Sequence, residues 1–394
     1  MPASDLESIG QRIARYRKLR HLTQTGLAHA ASVSPSMVTQ VERGVKQPSP
    51  ALIASIARAL SVPVTELTGQ PYLRELQQDQ LDVLVQPIRW ALDVYDLGVD
   101  PELAPRPLPA LVEEADRLCL LVRAGELRTA ASELPALITE ITSVAHEAPS
   151  DKAWATLASA YRTAYDVATK LGFQDLSAIA LDRMAWAAER GSDPIVAGIR
   201  QYLRALAYLR AGEYRTGRRL VAVGQATTAL ADPGRVRDVV AGQIHLGGAV
   251  LAARDRDKDA AAGHLVEAER FAVATGEATR VHWLSFGPFN VAAHRVSTLV
   301  DQDLYAQALT AAKTVRMPED WPASRQAHFR AEVARAQLWT GRTEEALRSL
   351  QEARKAAPQQ VKYSASVRDT VAGLLSARRS APDSLASYAQ WVGM

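Results

Sequence analysis

Six times along the chain, small or apolar residues recur at positions i, i+4 and i+7. The triplets are Ala130/Leu134/Leu137, Ala180/Met184/Ala187, Gly217/Val221/Gly224, Ala261/Leu265/Ala268, Ala308/Ala312/Val315 and Ala346/Leu350/Ala353. Successive triplets start 50, 37, 44, 47 and 38 residues apart. Gly125, Gly212 and Gly341 each stand five residues before a triplet, and Pro358 stands five after the last. Such spacing puts each triplet on one helical face. A glycine ahead of it ends the previous helix, and the small residues let two backbones approach closely. Hairpins of this kind bury their apolar faces only against neighbours, so they stack. Strand patterns are absent beyond residue 70. The expectation is an all-α chain whose residues 70–394 form a solenoid of helical hairpins; an irregular Ala-rich bundle is the alternative.

The spacing does not hold the strict period of about 34 residues of tetratricopeptide repeats, so the repeats read as degenerate and lengthened. Composition limits the chain further. Of 394 residues, 47% are hydrophobic and 23% charged, as in globular proteins and unlike disordered ones. No apolar run approaches the ~18 residues of a membrane helix, so no membrane partner is expected. Met1 to Gly10 carries no basic head and apolar stretch of a secretory signal, and a cytoplasmic protein is expected. A single cysteine, Cys119, excludes an intrachain disulfide and a multi-cysteine zinc site.

Charge separates a head from a body. Residues 1–70 hold eight Lys/Arg against four acids, and the rest of the chain is close to neutral. A small basic head points to a polyanion. Residues 1–69 read as five short helices. The first runs from about Leu6 to Arg20, with Ile9, Ile13, Tyr16 and Leu19 at helical spacing. Thr23 caps the second. Ser32 lies at a turn, and Ser34-Pro35 opens a third helix ending at Gly44. Pro48-Ser49-Pro50 and Pro63 open the last two. The third helix is the candidate reader of a DNA major groove. Val38 and Val41 face inward, and Pro35, Ser36, Thr39, Gln40 and Arg43 face outward. Gln40 suits an adenine edge and Arg43 a guanine edge or a phosphate. Gln24 suits a phosphate clamp, with Lys46, Arg12 and Arg15 on flanking backbone.

Leu22-Thr23-Gln24, Leu27-Ala28, Val33-Ser34, Val38, Val41-Glu42-Arg43-Gly44 and Ala59-Leu60 together make the head resemble the Xre-type helix-turn-helix family, phage repressors included. The resemblance spans about Ile9 to Gly69. It implies a five-helix, lambda-repressor-like domain that reads an operator half-site in double-stranded DNA, with Ser34 among its interface residues. It also implies a structural ion pair between Glu42 and Arg17. Ser32 departs from the family pattern, in which glycine is usual at the turn.

In the body, His282-Trp283-Leu284-Ser285-Phe286-Gly287-Pro288-Phe289-Asn290 continues to His294. Read as a helix, it sets His282, Phe286, Asn290 and His294 on one stripe. An aromatic face beside hydrogen-bonding groups suits a ligand pocket; a packed seam between repeats is the alternative. Gly287-Pro288 is expected to kink that helix. The two histidines lie eight residues apart with no carboxylate on the stripe, so no metal is expected. Further concave-side candidates are Tyr161, Arg162 and Tyr165, Arg183 and Trp186, Tyr202 and Tyr208, and Arg325, Phe329 and Glu332, with ordinary packing or a solvated face as the alternative for each. The seven tryptophans are expected mostly in the core.

Lys170-Leu171-Gly172, Asp182-Arg183, Phe286-Gly287-Pro288-x-Asn290-Val291, His294-Arg295-Val296 and Val333-Ala334-Arg335-Ala336 extend the resemblance over nearly the whole chain. They look like the actinobacterial Xre-type regulators with tetratricopeptide-like bodies, relatives of the peptide-responsive quorum-sensing regulators. That likeness implies a homodimer, a small-molecule or peptide effector in the concave face, and Asn290 as a ligand-contacting amide. No phosphate-cradling loop, nucleophile elbow or ligand cluster supports an enzyme, and no cofactor is implied. Two functions stand side by side. One is an effector-responsive transcriptional regulator; the other is a protein-interaction module, antitoxin-like, with an autoregulatory head.

Overall fold

The structure, a computed structural model, describes residues 7–377 and 382–394; Leu6, at the start of the first expected helix, lies outside them. The described residues hold no β-strand beyond one isolated bridge, Ala278 with Phe286. The chain is all-α.

Five helices form the head: α1 (Ile9–Leu19), α2 (Gln24–Ala30), α3 (Pro35–Glu42), α4 (Pro50–Leu60) and α5 (Val64–Thr68). Their starts are set by local chemistry. The hydroxyls of Ser8, Thr23, Ser34 and Ser49 accept from the backbone N–H three residues on. Each satisfies a donor that the first helical turn leaves open. Ser8 and Gln11 make a reciprocal capping box. Ile13, Leu27, Val38, Val41, Ile56, Leu60 and Leu67 close a separate small core.

A connecting helix α6 (Leu73–Gln78) and α7 (Val85–Asp93) lead into the body. Six hairpins follow: α8 (Leu108–Ala124) with α9 (Leu127–Glu147), α10 (Asp151–Leu171) with α11 (Gln174–Arg190), and α12 (Pro194–Ala211) with α13 (Tyr214–Thr228). Then come α14 (Arg235–Arg254) with α15 (Lys258–Thr275), α16 (Pro288–Asp301) with α17 (Tyr305–Ala312), and α18 (Ala323–Trp339) with α19 (Thr343–Ala356). The chain ends in α20 (Pro358–Lys362), α21 (Ala365–Ser376) and α22 (Asp383–Trp391). Each sequence triplet falls on the second helix of a hairpin and is buried there, except Ala312 and Val315 in the short α17 region. The expected glycines Gly125, Gly212 and Gly341 sit in the hairpin turns with left-handed backbones, as glycine favours.

The far end of the array returns to its beginning. The Glu75 carboxylate on α6 pairs with Arg368 on α21 at 2.7 Å, and Asp79 pairs with Lys362 on α20 at 2.7 Å. Arg368 also lies over the Tyr72 ring, 3.6 Å from its centroid. The segment that leaves the head is therefore clamped by the C-terminal helices.

Two expectations fail on inspection. The tryptophans are not mostly core: of the seven, Trp154 and Trp321 are buried, Trp186, Trp283 and Trp391 half-buried, and Trp90 and Trp339 exposed. The 282–294 stretch is not one helix: α16 begins only at Pro288, with proline at the position where no N–H bond is lost. There is no helix for Gly287-Pro288 to kink. Residues 276–287 fold back as a loop instead, with His282, Trp283 and Ser285 in left-handed conformations. Ala278 donates to the Phe286 carbonyl at 2.8 Å, and Glu277 accepts from the Phe289 N–H at 2.8 Å. His282, Phe286, Asn290 and His294 thus share no stripe.

Candidate functional site

In the head, α3 turns Val38 and Val41 into the core and leaves Ser34, Pro35, Ser36, Gln40 and Arg43 exposed. No part of the body covers them. Gln40 Nε2 donates to Ser36 Oγ at 3.1 Å, one turn back along the same face. The exposed face is polar and short-chained at its N-terminal end, with the longer Gln40 and Arg43 toward the other. Thr39, Gln24 and Lys46 are half-buried.

Beneath that face lies a braced turn. Arg17 Nε donates to Glu42 Oε1 at 2.6 Å and Nη2 to Oε2 at 2.9 Å, while Nη1 reaches the Leu22 carbonyl at 2.8 Å. This is the ion pair that the family resemblance implied, and it is largely buried, with side chains 12% and 6% exposed. Gln24 is drawn in as well: its Nε2 donates to Glu42 Oε2 at 2.8 Å, and its Oε1 accepts from Thr39 Oγ1 at 3.0 Å. Gln24 and Thr39 therefore tie α2 to α3 within the protein. Burial pushes the Glu42 carboxyl up, but the hydrogen bonds from Arg17 and Gln24 and the charges of Arg17 and Lys18 together outweigh it and hold the pKa below its ordinary value. The network locks α3 against α1 and α2 (the two elements that present it).

The body forms a concave cavity of about 390 Å³, lined by the first helix of all six hairpins, the 276–287 loop and α20. Of the sequence candidates it gathers Arg162, Tyr165, Tyr202, His294, Arg325 and Glu332. The others lie elsewhere. Tyr161 is fully buried, and Phe286 is fully buried with its ring tip against Gly242. Asn290 is buried, donating to Gln243 Oε1 at 3.2 Å, and Gln243 in turn donates to Tyr202 OH at 2.8 Å. Arg183 donates to the Leu92 carbonyl at 2.8 Å and lies 3.6 Å from the Tyr95 centroid. His282 lines a neighbouring cavity of about 400 Å³ with Arg162 and Trp283.

Sequence reasoning passed over three cavity residues as ligand candidates: Arg123, Lys170 and Arg210. Arg123 bonds the Trp283 carbonyl and Ser285 Oγ, and Arg162 bonds the His282 carbonyl. The folded-back loop is thereby fixed as the cavity's inner wall. Arg210 Nη2 donates to Tyr165 OH at 2.7 Å. A basic residue at helical spacing gives no signal separating a concave face from a solvated one, so these were legible only after the hairpins had stacked. His294 Nδ1 lies 2.8 Å from the Asn290 carbonyl; burial above all, then the Arg325 charge, pushes its pKa down to about 3.

Among the described residues no group of three or more His, Cys, Asp or Glu could hold a metal ion, and no helix is long and apolar enough to cross a membrane.

Residues 13–67 match the helix-turn-helix family. The chain is 40% identical over 63 residues to an uncharacterised helix-turn-helix-type transcriptional regulator of Bacillus subtilis, covering 16% of this chain and 91% of that protein. It is 37% identical over 71 residues to the immunity repressor protein of Bacillus phage phi105, covering 18% of this chain and about half (49%) of that one. A solved tetratricopeptide-repeat domain, that of P58(IPK), aligns over 98% of this chain and 97% of its own at 15% identity. Its TM-score of 0.21 is too low for that likeness to carry an argument. Through its head, the chain belongs to the DNA-binding helix-turn-helix transcriptional regulators. The matched relatives speak for the head alone; the helical body lies outside them.

Proposed function

We propose that this protein is a transcriptional regulator that binds a two-fold-related operator as a homodimer, and that a small molecule or peptide in the body cavity sets its affinity. The reading is carried by one observation: the outward face of α3 stands free, on a turn held rigid by the Arg17–Glu42–Gln24 network. In this reading Gln40 and Arg43 reach base edges, Ser34, Pro35, Ser36 and Thr39 line the groove contact, and Lys46 and Gln24 stand nearest the phosphates.

Support for control from the body lies in a continuous set of contacts. Lys170, in the cavity wall, bonds Gln360 Oε1 on α20. Two residues on, Lys362 pairs with Asp79, beside the helix that leaves the head. An occupant that favours one placement of α20 therefore favours one placement of the head, and only such differential binding can shift operator affinity.

The test is binding-site mapping across the genome, then titration of the purified protein against the sites recovered, with and without cell extract. A homodimer on paired half-sites is expected by sedimentation. Gln40→Ala is expected to relax selectivity at one base pair by about 1–3 kcal/mol. Uniform weakening over all operator variants would remove Gln40 as a reader, and a flat titration with every duplex would remove the whole reading.

A further inference from the structure

The concave cavity carries an unbalanced charge. Five basic side chains line it: Arg123, Arg162, Lys170, Arg210 and Arg325. A sixth, Arg254, is already paired with Asp301 at 3.1 Å. Of the three lining carboxylates, Asp301 also holds Arg335 at 2.8 Å, and Glu332 faces Arg335 at 3.4 Å. Only Asp166 is left, and none of the five cations makes an ion pair with it or with any other described residue. Arg325 has no side-chain hydrogen bond among the described residues either. Nε of Arg162, Nε of Arg210 and the Thr169 hydroxyl are buried without partners. A buried donor left open is costly, and so are like charges held together out of water.

Part of the lining is of another kind. Leu203, Leu206 and Leu209 on α12, with Val250 on α14 and Leu284 on the loop, give it a hydrocarbon surface. Burial first, and the charges of Arg325 and Arg162 after it, push the Arg123 guanidinium down to about 10. Burial does the same to the Lys170 ammonium, down to about 8, against the pull of Asp166. Both groups stay mostly protonated at neutral pH, in surroundings that disfavour their charge.

We propose that this cavity binds a small organic anion, with a carboxylate or phosphate against Arg325, Lys170 and Arg123 and a hydrocarbon body along the leucine wall. The inference rests on the reading of the body as an effector-binding domain and names the chemical class of that effector. The volume lies within the range of about 300–1,000 Å³ usual for small-ligand pockets. One negative group satisfies open donors and offsets the mutual repulsion of the cations, so the anion gains from both.

The test is calorimetric titration of the full chain with octanoate, octyl phosphate, octanol, octyltrimethylammonium and inorganic phosphate. Octanoate or octyl phosphate is expected to bind one per chain, at least about tenfold tighter than octanol, with affinity falling as salt rises. The stronger of the two identifies the headgroup. Arg325→Gln and Lys170→Gln are each expected to weaken that binding about tenfold. Arg325→Gln removes no bond within the protein and relieves like-charge repulsion, so its thermal midpoint without ligand stays at or above the wild-type value and unfolding does not confuse the result. Equal binding of octanol and the anions, no binding of either anion, or unchanged anion affinity in Arg325→Gln overturns the proposal. These titrations contain no DNA. Anion binding that leaves operator affinity unchanged keeps the assignment and removes the effector reading. An operator response to cell extract that is intact in Arg325→Gln, with no anion bound, does the reverse.

Discussion

Ser32 shows how one residue can be out of keeping with its backbone. It sits in the turn before α3 with φ of 55°, a left-handed conformation that costs a side-chain-bearing residue about 1–2 kcal/mol. Its side chain is exposed, so nothing is lost by removing it. Part of the gain is offset by the greater freedom of glycine when unfolded. Ser32→Gly is expected to stabilise the chain by about 0.5–1 kcal/mol, read from denaturant midpoints at constant slope. Glu42 works in the opposite direction. Glu42→Ala leaves the Arg17 guanidinium buried and unpaired, at an expected cost of about 3 kcal/mol. Because the folded pKa of Glu42 is lowered, its stabilisation is complete above the ordinary carboxylate pKa. It is lost as pH falls through the folded value. Urea midpoints taken on the acid side are therefore expected to fall less steeply with pH in Glu42→Ala than in the wild type.

At the scale of elements, helices were legible and the loop between α15 and α16 was not. The triplets located the second helix of all six hairpins, because burying a small-residue face is a local, periodic requirement. The same logic misread residues 282–294, where the spacing of His282, Phe286, Asn290 and His294 fits a helix as sequence alone presents it. What decides against it is distant: Arg123 and Arg162 hold carbonyls of the loop, and the Phe286 ring seats on Gly242 of α14. A Cβ at residue 242 would stand 2.1 Å from Phe286 Cζ. Gly242→Ala is expected to cost about 1–3 kcal/mol through overpacking. Hydrogen exchange is expected to rise in the 276–287 loop well before it rises in α10 or α12.

On the scale of the molecule, the head is joined to the body through more than its covalent link. Gly212, in the turn after α12 with φ of 76°, lets the backbone meet α4; a Cβ there would stand 2.2 Å from the Cβ of Ala54. Arg58 on α4 bonds the Gly212 carbonyl. The Lys362–Asp79 pair holds the connecting segment from the other side. Lys362→Met keeps the packing of the hydrocarbon stem and removes the charge. Operator affinity without effector is expected to stay within about twofold of wild type, while the response to extract falls by at least about fivefold, the size of a usual coupling energy. A full response in this variant would place the coupling elsewhere.

The sequence alone determined the helical class, the five-helix head with its outward-facing third helix and the hairpin count of the body, because capping, periodicity and turn glycines act over a few residues. It also singled out the segment from His282 to His294, of which Trp283, Leu284 and His294 do line the cavity. The tertiary structure decided which arginines share one hollow, that Asn290 faces Gln243, and that the C-terminal helices grip the chain where it leaves the head. Those outcomes depend on side chains 47 to 293 residues apart meeting once the hairpins curve, and a pattern confined to neighbouring residues holds no record of that curvature.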